Sequence, residues 1–560
     1  MGRVQPTYRQ ALIVFQRNGR MFGRLGARLH RRAPVVVALV SIIVLTAILR
    51  FATLELQSVW YDEAQTARLV SLPLDSMLHA VAREESTPPL FYLLERATTR
   101  LLGDGEVALR ALSALAGLLT VLVAMAIAKE VAGRRAAAAT GVVAALSPLL
   151  VWYAQEARSY SLYALLVSAA LWGFVRALLR PAARRSTLVF AASGSAAVLT
   201  HWFAIAPIGA CATYLVYREV VARRQARRFQ LARPTVAGQA GPLAALPLFT
   251  AVLATPLLLA QRSADHASFI ASEPLARRLA QLPKQLLVGY DALFEPWSAL
   301  AGAIGAALLL ALAVQRALGN SGGVRRIASP TAHRALAGAA ASRPLEPPQT
   351  VLLLLFVAAL AGVGAPLVAA LLGEDFVLTR NVLWLACPLA VLVGVGFARA
   401  PRSVAWPALV LVVSAAAAGT AAPLVDPLAR KPDWRGIARL AAHTVGPVGT
   451  VVVAPDGVLP VRYYEPRLSV VTVPPNDPSK RFLCASPARK SGSSPRAPTL
   501  SDLPCPVQVS TGAVGDASRS PDRAPLRIRP FKRRTLLAVL VEPVRAPRPR
   551  PAEPAPQSAR

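Results

Sequence analysis

Charge is what this chain has least of, and acid is scarcer than base. Only 16% of its 560 residues are charged, where a soluble domain carries about 25%. With 54% hydrophobic residues and a mean hydropathy of +0.45, the composition excludes a soluble enzyme and implies an integral membrane protein. Cysteine and histidine are nearly missing, at four and six residues, and no His/Cys spacing fixes a metal site. A signal peptide of the usual cleavable form is missing too. Arg3, Arg9, Arg17, Arg20, Arg24, Arg28, Arg31 and Arg32 precede an apolar run long enough to span the bilayer and stay as an anchor. The net charge of +33 would ordinarily indicate nucleic acid. Here the arginines form short clusters between apolar runs, as in cytoplasmic loops, so no nucleic-acid partner is expected.

What is present is a series of about eleven apolar stretches, each near the ~20 residues that cross a hydrocarbon core. They lie near 34–52, 107–127, 136–151, 160–178, 187–201, 202–217, 242–260, 298–315, 350–372, 381–398 and 404–422. With a cytoplasmic N-terminus, every second loop holds the arginine clusters, at 134–135, 176–185, 218–233, 316–343 and 399–402, and the other loops hold most of the acids. That alternation obeys the positive-inside rule and places the C-terminal segment outside. The expected fold class is an α-helical polytopic membrane protein with a small C-terminal extracytoplasmic α/β domain. Its parts are a basic cytoplasmic segment 1–33, a membrane domain 34–422 with a large first outer loop 53–106, an outer domain 423–544 with long loops, and a disordered tail 545–560.

Trp60-Tyr61-Asp62-Glu63-Ala64 stands just after the first apolar run. Adjacent carboxylates at a membrane boundary are either a hydrated acidic loop or a site that uses their charge. Downstream, Ala67 to Val81 reads as an amphipathic helix lying in the interface. Pro88-Pro89 then forces a rigid turn into the next helix. Trp152 to Ser161 is polar and aromatic between two apolar runs. It is either an interfacial aromatic belt or a place where Glu156 and Arg158, flanked by Tyr153 and Tyr160, bind an anionic head group or orient a sugar hydroxyl. His201, in Thr200-His201-Trp202, lies at another outer end. A lone histidine there is more often a packing residue than a ligand.

In this order, Tyr61-Asp62-Glu63-Ala64, Pro88-Pro89-Leu90-Phe91-Tyr92, Gly103-Asp104 to Arg110, Ser147-Pro148, Tyr153 to Tyr160 and Thr200-His201-Trp202-Phe203 resemble bacterial polytopic glycosyltransferases of the GT-C superfamily. The nearest likeness is to family 39, relatives of dolichyl-phosphate-mannose protein mannosyltransferase. The resemblance is specific over about 55 to 205 and returns at Lys431-Pro432-Asp433-Trp434-Arg435-Gly436; one departure is Thr87, where members often carry His before the double proline. The resemblance implies a GT-C-like fold and transfer of a sugar from a polyprenyl-phosphate carrier to an acceptor hydroxyl at the outer face of a bacterial cytoplasmic membrane. The acceptor would be an envelope glycan, a lipid or a protein. It implies Asp62 as the base and Glu63 as its neighbour at the reaction centre.

The leaving lipid phosphate departs as an anion and needs cations rather than a strong acid. Arg158 and Arg380, at expected outer span ends, are the candidates. Tyr61, Glu156, Tyr160 and His201 complete the expected substrate-binding set, with Glu156 either assisting Asp62 or orienting Arg158. Asp62, Glu63 and Glu156 are hard oxygen ligands suited to Mg or Mn, but no obligatory metal is expected. The competing reading is a transporter or lipid flippase on the same frame. A transporter gathers ionisable residues near the midplane, often in repeated halves, whereas here the acids collect at one face. Past 423, Asp433 to His443 reads as a helix, Thr450 to Ala454, Leu468 to Val473 and Leu536 to Val541 as strands, and 474–530 as Pro/Ser/Arg-rich loops. Cys484 and Cys505 are candidates for a disulfide there; Cys211 and Cys387 lie in apolar runs as packing residues.

Overall fold

In a computed structural model of the chain, the described residues are 36–180, 184–228, 240–262, 273–319, 364–373, 375–445, 450–453 and 455–472, with single positions at 270, 357 and 361. They divide into two compact units. One comprises Met1–Leu54, Leu74–Leu102 and Arg110–Ala422, and the other Glu55–Pro73, Gly103–Leu109 and Pro423–Arg560.

The first unit is helical. Among the described residues, seven helices are long and apolar enough to cross a membrane, which makes this a multi-pass membrane protein. The longest, Glu106–Ala145, has 40 residues and would be about 60 Å long if straight, twice the hydrocarbon thickness. It is not straight. Gly133 has φ 82°, a left-handed conformation that glycine alone adopts without strain. Beyond it, a Cβ on Gly141 would stand 2.8 Å from the Met125 sulfur, although an unbroken helix would separate those two residues by about 24 Å. The chain therefore turns back at Gly133, and this one element contains both the second and the third apolar runs. The first run appears as Val36–Phe51 and the fifth as Arg184–Val198. Of the ninth, the helix Ala365–Leu371 is described.

Burial sorts these helices. Thr379–Arg399 has 83% of its apolar window buried and Tyr160–Leu179 67%, against 17% for Gly241–Arg262, so the first two form the interior of the bundle and the third presents its side chains outward. Glycine permits the closest packing. A Cβ on Gly394 would lie 2.6 Å from the Ala136 carbonyl oxygen, and one on Gly396 2.7 Å from the Leu309 carbonyl carbon. Helix Ala386–Arg399 thus meets neighbours backbone to backbone, as small residues allow in membranes. Cys211 and Cys387 are buried.

One expectation fails here. Ala67 to Val81 is not a single interfacial helix but the end of one, Tyr61–Ser71, and most of another, Leu74–Glu84. Pro73 lacks the N–H a continuous helix needs and forces Leu72 into an extended conformation, with ψ 159°. Of the two, Leu74–Glu84 keeps the amphipathic pattern, with Met77 and Val81 buried. Helix Leu90–Leu102 starts directly after Pro88-Pro89.

The second unit is a small α/β assembly. Strand β1 (Thr450–Val453) pairs in parallel with β2 (Ser469–Thr472), Thr450 opposite Ser469, and helix Val458–Tyr464 makes the connection. Helix Trp434–Val445 supplies Trp434, Ile437, Ala438 and Ala441 to a core shared with Val453, Val461, Leu468 and Val470. Asp433 caps that helix by accepting the Gly436 N–H at 3.0 Å. The expected strand Leu536 to Val541, Cys484, Cys505 and the tail from 545 lie outside the described residues.

Candidate functional site

In the second unit, Trp60 is extended and helix Tyr61–Ser71 begins right after it, with Asp62 and Glu63 in its first turn. The helix N-terminus carries partial positive charge, so carboxylates are favoured there. The two acids have different surroundings. Glu63 is fully buried and its Oε2 lies 3.5 Å from the Lys431 ammonium, which also sits 5.0 Å from the Trp60 ring centroid. Asp62 is half-buried, and Tyr61 is exposed. The Lys431 N–H donates to Gln57 Oε1 at 3.0 Å. Ser58 Oγ donates to the Pro432 carbonyl at 2.7 Å and accepts the Trp434 N–H at 2.9 Å. The Tyr464 hydroxyl accepts the Val59 N–H at 2.6 Å. A groove of about 720 Å³ runs beside these ties, lined by Gln57, Ser58, Arg430, Lys431, Asp433 and Arg435 among others.

The first unit holds the remaining expected residues. The turn after helix Pro148–Ala154 is tightened by the Arg158 N–H donating to the Glu156 carbonyl at 2.8 Å, and helix Tyr160–Leu179 follows. Arg158 forks onto Glu85, at 3.2 Å and 3.1 Å, and reaches the Tyr92 hydroxyl at 3.4 Å. Both members of this pair are buried. Tyr160 lies under the Arg380 guanidinium, 5.7 Å from ring centroid to charge. His201, in the turn between Arg184–Val198 and Trp202–Arg224, stacks on Tyr163 with centroids 4.6 Å apart. Its Nδ1 accepts the Phe203 N–H at 3.3 Å. Burial, then the charges of Arg380 and Arg158, push His201 down to about 3, so its ring is neutral at physiological pH and supplies no cation.

The Tyr290 hydroxyl is bonded to that of Tyr153. Burial pushes Tyr290 up to about 12, while Glu156 and Arg380 bear on it with opposite sign. Glu156, Tyr160, His201 and Arg380 therefore belong to one aromatic, charged cluster with Tyr153 and Tyr290. It can stack a ring or acyl chain against the tyrosines and hold an anion at the half-buried Arg380. Arg158 contributes its field, but its fork is occupied by Glu85.

Sequence reasoning missed Glu85, Tyr290 and the pairing of Lys431 with Glu63. Glu85 lies beside the recognised Ser86 to Pro89 stretch and Lys431 opens the recognised Lys431 to Gly436 stretch, so proximity to a motif was the available signal; Tyr290 offered none. Among the described residues, no three His, Cys, Asp or Glu side chains converge as metal ligands.

The family model for dolichyl-phosphate-mannose-protein mannosyltransferases matches residues 86–238. That span contains Glu156, Arg158, Tyr160 and His201. No curated protein matches the chain by sequence. Among solved structures, ArnT from Cupriavidus metallidurans bound to undecaprenyl phosphate is 18% identical, with a TM-score of 0.35, covering 78% of this chain and 86% of that one. The Archaeoglobus fulgidus oligosaccharyltransferase in complex with Zn and sulfate is 14% identical, with a TM-score of 0.44, covering 78% and 62%. The same organism's AglB, in complex with an inhibitory peptide and a dolichol-phosphate, is 13% identical, with a TM-score of 0.40, covering 78% and 60%. The resemblance to mannosyltransferase-related polytopic enzymes read from the motifs therefore holds, through the family match, on a multi-pass membrane protein.

Proposed function

We propose that this relative of the polytopic mannosyltransferases moves a sugar from a polyprenyl-phosphate-linked donor to a hydroxyl of an envelope glycan, lipid or protein. The reaction takes place at the outer face of a bacterial cytoplasmic membrane, with the N-terminus cytoplasmic and the C-terminal unit outside. The observation that carries this reading is the family match across the stretch that gives Tyr153, Glu156, Tyr160 and His201 to the aromatic, charged cluster of the membrane unit.

The chemistry assigns roles by environment. The acceptor oxygen bonds to the anomeric carbon, the bond from that carbon to the phosphate oxygen breaks, and the carrier leaves with the electron pair as a phosphate anion. Asp62, half-buried beside a carboxylate already paired to a cation, takes the acceptor proton. The phosphate-binding role falls to Arg380, a half-buried guanidinium over the Tyr160 ring, while Arg158 holds Glu85. Tyr160 and His201 supply neutral ring surface, and Tyr61 and Glu156 complete the substrate contacts.

The test is transfer of a labelled sugar from its polyprenyl-phosphate carrier in membranes containing the wild-type chain or Asp62→Asn. Loss of transfer in the variant, at equal expression, supports the reading. Unchanged transfer by both Asp62→Asn and Glu63→Gln removes the proposed centre, and carrier translocation without transfer would favour a flippase. The reading requires no obligatory metal, so transfer should survive a chelator.

A further inference from the structure

The first turn of helix Tyr61–Ser71 draws on a contact from outside the helix. The helix has 11 residues and its N-cap, Trp60, offers no side-chain cap, and isolated helices of that length are marginal in water. Its far end is anchored by apolar burial of Leu69 and Val70. The near end, where Asp62 sits, carries buried Ala64 and is tied through polar groups, two of which are on one residue. The Lys431 N–H binds Gln57 and its ammonium pairs with Glu63, so Lys431 brackets Asp62 from both sides in sequence. Pro432 follows it and restricts the Lys431 backbone to extended conformations, which gives both contacts a fixed base.

Resting on the reading of Asp62 as the base, we infer that Lys431 is a positioning residue that acts on Asp62 through Glu63. Successive helical residues point about 100° apart. Holding Glu63 inward therefore sets the roll of the first turn and directs the Asp62 carboxylate to the side where it is half-buried. The segment after the last membrane span then belongs to the catalytic apparatus without touching substrate. The ammonium is suited to the task because it is a compact charge that fits over the Trp60 ring while it reaches one carboxylate oxygen.

The test uses the full chain in the labelled-carrier assay. Lys431→Met should lower kcat about tenfold or more while leaving KM for the donor within about twofold, the pattern of a lost transition-state alignment. Lys431→Arg should keep kcat within about threefold, since the charge and the tie survive. Glu63→Gln combined with Lys431→Met should be no slower than Lys431→Met alone, because the pair acts as one unit. A folded Lys431→Met chain with wild-type kcat overturns the inference, as do losses that multiply in the double variant. If Lys431→Met does not accumulate, Glu63→Gln decides: a kcat lowered about tenfold with donor KM within about twofold supports the inference, and a wild-type kcat overturns it. Asp62→Asn separates the two readings: transfer by that variant defeats the base assignment, whereas its silence beside an unimpaired Lys431→Met defeats the role of Lys431 alone.

Discussion

Among the described residues, each unit holds a buried carboxylate against a buried cation, and two such pairs are built differently. In the helical unit Glu85 receives both arms of the Arg158 guanidinium, and Tyr92 takes a further bond from it. In the α/β unit the cation facing Glu63 is an ammonium, at 3.5 Å. A planar fork on a carboxylate fixes both partners in distance and angle, whereas a point charge fixes distance alone. The contrast shows that the first pair acts as a brace in a packed interior. The second sets a cation against one of two adjacent acids, while the other, Asp62, is half-buried, as its proposed role of base requires.

That contrast is breakable. The largest effect belongs to the second unit: Asp62→Asn should lower the transfer rate by about 10² to 10⁴, the usual contribution of a positioned base, with little change in thermal stability. If stability falls instead, Asp62 is structural and the contrast collapses. Next, Glu85→Gln should destabilise the protein by about 3 kcal/mol, because a buried guanidinium loses its counter-charge. The thermal midpoint in detergent measures this, and the double change with Arg158→Met should cost less than the sum of the two single changes. Arg380→Met should raise donor KM about tenfold with a smaller effect on kcat, as for a group that binds phosphate equally in ground and transition states. An unchanged KM would return Arg380 to the role of an interface anchor.

The smallest effect concerns pH. The bond from Arg278 holds the Asp375 carboxyl below its usual range, helped by the Val377 N–H and opposed by partial burial. A carboxylate depressed in the folded state contributes stability above its unfolded value, about 3.9, and loses it as pH falls through the lower folded value. Thermal midpoints should therefore drop on acidification below about pH 4. Asp375→Asn should flatten that limb while lowering stability slightly at pH 7.

The fold was legible wherever one segment decided its own fate. The runs at 107–127 and 136–151 flank Gly133-Arg134-Arg135, a glycine able to turn and two charges unable to stay in hydrocarbon, and the chain turns there. Asp433 announced a helix start and caps one. Pro73 carried an equally local signal, overlooked because the apolar spacing runs straight across it. Pairings between distant segments were illegible in principle: nothing around Arg158 specifies a carboxylate 73 residues earlier, and nothing around Glu63 specifies Lys431. Composition put acids and bases between the apolar runs without naming partners, so the sequence offered candidate residues but not their environments.

The bare backbone contacts of Gly394 and Gly396 restrict how this machine can move. A helix that meets one neighbour at the Ala136 backbone and the Thr140 hydroxyl, and another at the Leu309 backbone, has little compliant material to absorb a shear. Its sliding would drag both companions along. Opening and closing during turnover would then fall to segments outside that clamp, and an added methyl at either glycine would act as a wedge between its helix and the one neighbour it faces.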